Sequence, residues 1–311
     1  LAMVVERDRA IRDFVPEPYL EVEATFDAPR GRYLGTWHRF ADAAIRRKDG
    51  RLKLPKAEAA RLDADGAEAN AIVARVRTGA ASVLAVERAL ERTAPPLLYD
   101  LTELQRHANR MYGITAKATL DAAQILYERH KALSYPRTDS RHLSTDIAAT
   151  LPTIMPSVAR LYPGLVADGT GTLPLGKRFV DDTKVGDHHA IIPTGQIPRL
   201  AEGSDEARIY DLVCRRVLMA WHADRVEAVT TVVTKVESEG FEDRFITRGT
   251  ALEEAGWSVL EPRRRAKREE SDEPTVAAGL EDGLVVVVHA ADAKHKATKP
   301  PRPFTEATLL T

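Results

Sequence analysis

Strand-type patterning occupies two separate stretches of this chain, about residues 17–96 and 225–298, and a mainly helical block at 101–220 lies between them. That order constrains the fold more than any other feature. Strands must pair to satisfy their backbone groups, so a sheet drawn from both stretches has to close across whatever separates them. The reading is an α+β, multidomain chain: one discontinuous β-rich domain with a mainly helical domain inserted in it. The boundaries drawn on this basis give the β-rich domain residues 17–100 and 217–298, and the helical domain residues 101–216. Segments 1–16 and 299–311 remain at the two ends.

Local signals fill in the elements. Pro16 and Pro18 end a first helix at 1–14. The run YLEVEATFDAPRGRYLGTWHRF alternates around a Pro-Arg-Gly turn and reads as a β-hairpin. Residues 56–92 read as helix followed by strand, and Pro95 and Pro96 mark a break. Thr102-Glu-Leu-Gln105 matches a capping box, with Gln105 reaching back to the cap. Gly113 is placed to end that helix, Thr115 to cap the next, and Ser144 to open a third helical region. A further helix spans about 206–222. The β-branched segments that follow Arg225 read as strands, and GLVVVVHA at 283–290 reads as a buried one. The charged stretch around 263–273 reads as a solvated surface loop, with a phosphate-contacting strap as the functional alternative. No capping residue precedes Leu1, and the helix capped by Thr305 stops after about a turn and a half, so both ends read as trimmed from a longer protein.

Composition removes several classes of function. No apolar run approaches the roughly 20 residues needed to cross a bilayer, and no secretory leader is visible. Cys214 is the single cysteine, which rules out an internal disulfide and a CxxC metal site and points to a reducing compartment, the cytoplasm. With 45 basic and 46 acidic residues there is no global charge signal for nucleic acid, so any DNA binding has to come from local patches. There is no phosphate-binding glycine loop that would signal use of a nucleoside triphosphate.

The segment that carries chemistry is LSYPRTDSRHL, residues 133–143. Pro136 pushes Tyr135 into the extended region and has no N–H of its own, so Tyr135 sits on a stiff, non-helical stretch directly after a helix. Arg137, two residues on, projects to the same side. A tyrosine phenol has a pKa of about 10, and a fixed guanidinium lowers the cost of ionising it while gripping phosphate oxygens. Taken alone, Tyr-Pro-Arg is equally the pattern of a buried tyrosine at a helix-to-loop turn. A second segment, VDDTKVGDHHAIIPTG at 180–195, brings two adjacent histidines, His188 and His189.

SYPRTDS resembles the active-site signature of the type IA DNA topoisomerases, and the run from Leu97 through Ser140 resembles that family along its length. The His-x-Ala-Ile-x-Pro segment of the same family is matched from His188, and HHAIIPT is most similar to the topoisomerase III kind. The resemblance covers nearly all of the chain. It implies an arch-shaped β-rich domain, a helical domain carrying the active-site tyrosine, and end segments that belong to a base domain. It implies breakage and rejoining of one DNA strand through a transient 5′-phosphotyrosine link, with strand passage that changes DNA topology. Tyr135, Arg137 and His188 take the catalytic places, and Thr138, Asp139, Ser140, His189 and Gln105 the DNA-contacting ones. The family's Mg²⁺ is held by an acidic cluster in a Toprim domain that has no counterpart here, so no metal site is expected in this chain, and the piece by itself is expected to be inactive. Asp63-Ala-Asp65-Gly66 and Asp181-Asp182 are acidic look-alikes that read as turns or caps. The expected partner is single-stranded DNA, with no membrane; the expected state is a monomer in the bacterial cytoplasm, associated with the nucleoid. The competing reading is a non-catalytic single-strand-binding module in which Tyr135 stacks on a base; a covalent DNA adduct separates the two.

Overall fold

The structure is a computed structural model that describes residues 2–42, 44–262 and 276–310. The charged loop around 263–273 lies outside the described residues. The chain is a mixture of helices and strands, as expected, and it divides into two compact units. One comprises residues 1–91, 227–253 and 268–302, and the other 92–226, 254–267 and 303–311.

The first unit is built on six strands: β1 (Pro18–Ala28), β2 (Gly31–Trp37), β3 (Ala80–Thr93), β4 (Arg225–Ser238), β5 (Phe241–Glu254) and β6 (Val285–Ala297). They are ordered β1-β2-β5-β4-β3-β6 and close into a barrel, because β6 pairs antiparallel along the length of β1 from Pro18↔Ala297 to Asp27↔Val287. The β1–β2 hairpin turns between Ala28 and Gly31, at the expected Pro-Arg-Gly. β1 follows period 2, burying Leu20, Val22, Ala24 and Phe26. Phe26 stacks on Tyr33 at 5.3 Å and meets Phe245 edge-on at 5.4 Å. Gly35 is required by this packing, since a Cβ there would lie 2.9 Å from that of Phe245. Helix α2 (Ala67–Thr78) lays Ala69, Ile72, Val73 and Val76 against β1 and β6. Asp243 is buried at 3% exposure, but it is paired. Arg75 reaches it with two bonds of 2.6 and 2.8 Å, and the Trp37 indole donates at 2.8 Å.

The valine run at 283–290 is not the buried strand expected. Val285 and Val287 are 74% and 64% exposed while Val286 is buried, because β6 shows only alternate residues to the barrel interior. Four consecutive valines therefore mark β propensity here, not two-sided burial.

The second unit holds α3 (Leu101–Tyr112), α4 (Ala116–Glu128), α5 (Thr145–Ala148), α6 (Leu151–Ala159), α7 (Asp205–Leu218) and α8 (Glu306–Leu309), while α1 (Ala2–Arg12) lies in the first unit. Its core gathers Leu104, Leu126, Leu133, Leu143, Met155, Ile191, Ile209 and Val213. Thr115, Ser144 and Thr305 cap α4, α5 and α8, and Gly113 at φ +70° ends α3, as their spacing predicted. The cap of α3 differs from expectation. Asp100, not Thr102, accepts the bond from Glu103 N, and Gln105 is turned into the core. Residues 160–204 also differ from the helical reading, since the only helical segment among them is a 3₁₀ turn at Asp182–Lys184. Pro163, Pro174, Pro193 and Pro198 interrupt this stretch, and Gly164, Gly169, Gly171 and Gly195 hold positive φ within it.

Candidate active site

The irregular segment is not idle chain. Its residues 179–194 are stitched to residues 132–143, antiparallel where Leu133 faces Pro193 and parallel where Leu143 faces Val180. Thr194 N donates to Ala132 O (3.0 Å), and Ser134 N to Ile192 O (2.9 Å). Further along, Ala190 N donates to His142 O (2.9 Å), and Leu143 N to Phe179 O (2.8 Å). Side chains add to the seam. Thr138 Oγ1 donates to the carbonyl of His188 at 3.0 Å, and Ser140 Oγ to that of Lys184 at 2.8 Å. On the far side, Ile191 N bonds Tyr99 O (2.8 Å) and Leu101 N bonds Thr138 O (3.0 Å), which ties both segments to the start of α3.

Within 133–143 the chain alternates. Pro136, Thr138 and Ser140 are buried; Arg137 and Asp139 are exposed, and Tyr135 is half-buried. This is the period-2 geometry of an extended backbone, so Tyr135, Arg137 and Asp139 share the outward face. The ring of Tyr135 lies 4.4 Å from that of His188, tilted by 45°. Residues 53 apart in sequence (188 less 135) are thereby brought into contact. Tyr127, from the last turn of α4, meets Tyr135 edge-on at 5.5 Å. Arg137 donates to Gln124 Oε1 at 3.3 Å, which steadies a side chain that is otherwise in solvent.

The remaining expected residues divide. Asp139 is exposed beside the cluster and His189 is half-buried. His189 donates from Nδ1 to the Ala190 carbonyl at 2.7 Å, and burial holds it below the usual histidine pKa, so it is neutral at pH 7 with Nε2 as its free acceptor. Thr138 and Ser140 are buried, and their hydroxyls are spent on backbone carbonyls; they frame the site. Gln105 is not brought to it: its amide donates to Ala116 O (3.0 Å) inside the helical core.

Sequence reasoning missed Gln124, Tyr127 and Lys131. For Gln124 and Tyr127 the available signal was their i, i+3 spacing, which places both on one face of α4; Lys131 lies beyond the helix end at Glu128. Lys131 stands out further. Its φ is +53°, and only Glu239 shares that region among the described non-glycine residues. Such a conformation costs on the order of 1 kcal/mol or more. Its ammonium sits 5.7 Å from the centre of the Tyr127 ring. An exposed cation–π contact returns about 0.5–1 kcal/mol.

Among the described residues no group of three or more His, Cys, Asp or Glu side chains is placed to hold a metal ion. The two acidic pairs act as the sequence suggested, in turns and caps. Asp65 accepts from Ala67 N, Asp181 from Thr183 N, and Asp182 from both the amide and the hydroxyl of Thr145. No helix among the described residues is long and apolar enough to cross a membrane.

Comparison with known proteins gives the family and the fold. The family model described as DNA topoisomerase matches residues 1–311. A DNA topoisomerase 3 of Shouchella clausii is 35% identical over all of this chain, which covers 39% of that protein. The DNA topoisomerase 3 of Bacillus subtilis is 33% identical, again over all of this chain and 40% of the relative. That of Bacillus anthracis is 40% identical over 74% of this chain and 32% of the relative. The chain thus spans about two fifths or less of the length of these relatives. Among solved structures, full-length topoisomerase I from Thermotoga maritima superposes with a TM-score of 0.62 at 20% identity, over 99% of this chain and 45% of that one. At that identity the likeness concerns the fold.

Proposed function

This chain belongs to the type IA DNA topoisomerases, and on that premise we propose that Tyr135 is the nucleophile that breaks and rejoins one DNA strand. The observation that carries the reading is the contact of Tyr135 with His188, 4.4 Å between rings, on an extended stretch whose outward face also bears Arg137.

The step balances without an energy source. The phenolate oxygen of Tyr135 attacks the phosphorus of a backbone phosphodiester and forms a P–O bond to the 5′-phosphate. The bond from phosphorus to the 3′-oxygen breaks, and that oxygen takes up a proton as the phenol has given one up. Reversal reseals the strand, because the aryl phosphate conserves the energy of the broken ester. Arg137 and His188 offer donors to the phosphate oxygens as charge redistributes; one well-placed donor is worth on the order of 10²–10³ in rate. Gln124 and Tyr127 hold Arg137 and Tyr135 from the side of α4.

The family uses Mg²⁺, which would supply further charge neutralisation at the phosphate. Among the described residues no three His, Cys, Asp or Glu side chains gather to hold such an ion, and Asp181 and Asp182 are bonded to Thr183 and Thr145, so the step above uses this chain's residues alone. The assignment of the barrel unit to an arch, of the ends to a base domain, and of single-stranded DNA as partner belongs to the same proposal. So does the expectation that the chain by itself binds a strand without cutting it.

The test is Tyr135→Phe in the complete protein. Removing only the hydroxyl abolishes the covalent protein–DNA band on a denaturing gel and leaves strand binding in place. A covalent band from the Phe variant places the nucleophile elsewhere. No band from the wild-type protein under cleaving conditions favours the stacking module instead.

A further inference from the structure

We propose that Lys131 is a phosphate-binding residue of this site, gripping the strand on the α4 side of Tyr135. The inference rests on the reading of Tyr135 as a residue that meets DNA. The α4 helix ends through Arg129 N and His130 N, both bonded to Ile125 O, and the chain then turns sharply so that Ala132 N returns to Leu126 O. The turn needs a left-handed residue, and glycine is the usual occupant of that place. A lysine occupies it instead, at φ +53°. Its backbone role is met by the carbonyl alone, which accepts from Thr194 Oγ1 at 2.5 Å. Glycine would serve that role with less strain, so the side chain needs its own explanation.

Lys131 is exposed, and no carboxylate pairs with its ammonium among the described residues. The ammonium lies over Tyr127, the ring of Tyr127 touches Tyr135, and Tyr135 touches His188. A cation, two phenols and an imidazole thus lie in a row, and Arg137, on the outward face shared with Tyr135, reaches Gln124 on α4. A polyanion crossing Tyr135 passes both cations. The weak cation–π contact parks the ammonium at the edge of the cluster but does not consume it, since it keeps its hydrogen-bond donors. Lysine suits this role as a compact point charge, which needs proximity to phosphate and no fixed fork geometry.

The prediction is read from salt dependence, which a merely structural residue does not move. In the complete protein, binding of a fluorescein-labelled oligothymidylate is followed by anisotropy across a sodium chloride series. Each phosphate contact to a single strand contributes about 0.7 to the slope of log affinity on log salt. Lys131→Met should therefore lower the slope by about 0.7, a loss of roughly five-fold at 0.1 M salt relative to 1 M. Lys131→Arg should keep the slope. Lys131→Gly relieves the backbone and so preserves folding, yet it should lose the same slope of about 0.7. Lys117→Met, on α4 but paired with Asp121, should leave the slope unchanged. Wild-type slopes in both the Met and Gly variants, with Arg137→Ala still reducing the slope, overturn the inference and leave the function standing. Absence of salt-dependent strand binding by the wild-type protein overturns both.

Discussion

Thr138→Val isolates the seam that brings His188 to Tyr135. The two side chains have nearly the same shape, so the substitution opens no large cavity; it removes one hydroxyl. That hydroxyl donates to His188 O at 3.0 Å and accepts from Ser140 N at 3.1 Å, at a residue only 7% exposed. The two losses differ in weight. His188 is exposed, so water can replace the donor to its carbonyl at little cost. Ser140 is 5% exposed, and its amide is left without an acceptor, which costs about 1–3 kcal/mol. The expected total is about 2 kcal/mol, a sizeable fraction of the roughly 5–15 kcal/mol that holds a typical domain. Urea unfolding of the variant should show that loss with an unchanged m-value, and Thr138→Ser, which keeps the hydroxyl, should recover most of it. Covalent adduct formation should fall with the same rank order, because His188 is released from Tyr135. A valine variant within about 0.5 kcal/mol of wild type and equally fast in cleavage would show that the hydroxyl does not hold the seam.

Three more outcomes follow from other features. Arg137→Ala should slow adduct formation on the order of 10²-fold while weakening strand binding far less, with His188→Ala milder; single-turnover cleavage measures both, and wild-type rates in the two variants contradict their roles. Burial first, then the Arg216 and Arg110 cations, pulls His107 down to about 4. Because the folded value lies below the unfolded one, the helical unit should lose stability as pH falls from about 6.5 towards 4, by at most about 3 kcal/mol. His107→Gln should flatten that part of the urea-midpoint profile, and an unaltered profile assigns the loss to other groups. Finally, Arg75→Met should destabilise the barrel unit by about 3–5 kcal/mol, by stranding the Asp243 carboxylate. Adding Asp243→Asn should recover a good part of this, and strict additivity in the double-mutant cycle would deny the coupling.

The legible parts of this chain are those decided within a few residues. Thr115, Ser144 and Thr305 cap their helices because a hydroxyl three residues ahead of an amide suffices. The same locality makes the stiffness of Tyr135-Pro136 readable, together with the shared side of Tyr135 and Arg137. What was misread depends on distant partners. Leu101 N is bonded to Thr138 O, which fixes where α3 begins and leaves the cap to Asp100. Gln105 looked available as a polar group on a helix, but its amide is taken up by Ala116 across a turn. The exposure of Val285 and Val287 depends on β6 pairing with β1, which lies near the other end of the chain. The catalytic place of His188 came from likeness to a family, and its contact with Tyr135 from the fold; local pattern alone marks two histidines in a loop and no more.

The grip on His188 has a consequence for how such a site can change. Thr138 holds the carbonyl at position 188 and leaves the imidazole untouched, and the neighbouring stitches at Lys184, Ala190 and Ile192 also use backbone groups. The position is therefore defined by count and not by kind. Whatever side chain stands at 188 is delivered to the same spot against Tyr135, so substitutions there exchange the chemistry while the address stays fixed. Adding or deleting one residue between Lys184 and Ile192 has the opposite effect. It changes which carbonyl Thr138 holds and delivers a neighbour in place of His188, however conservative the change in composition.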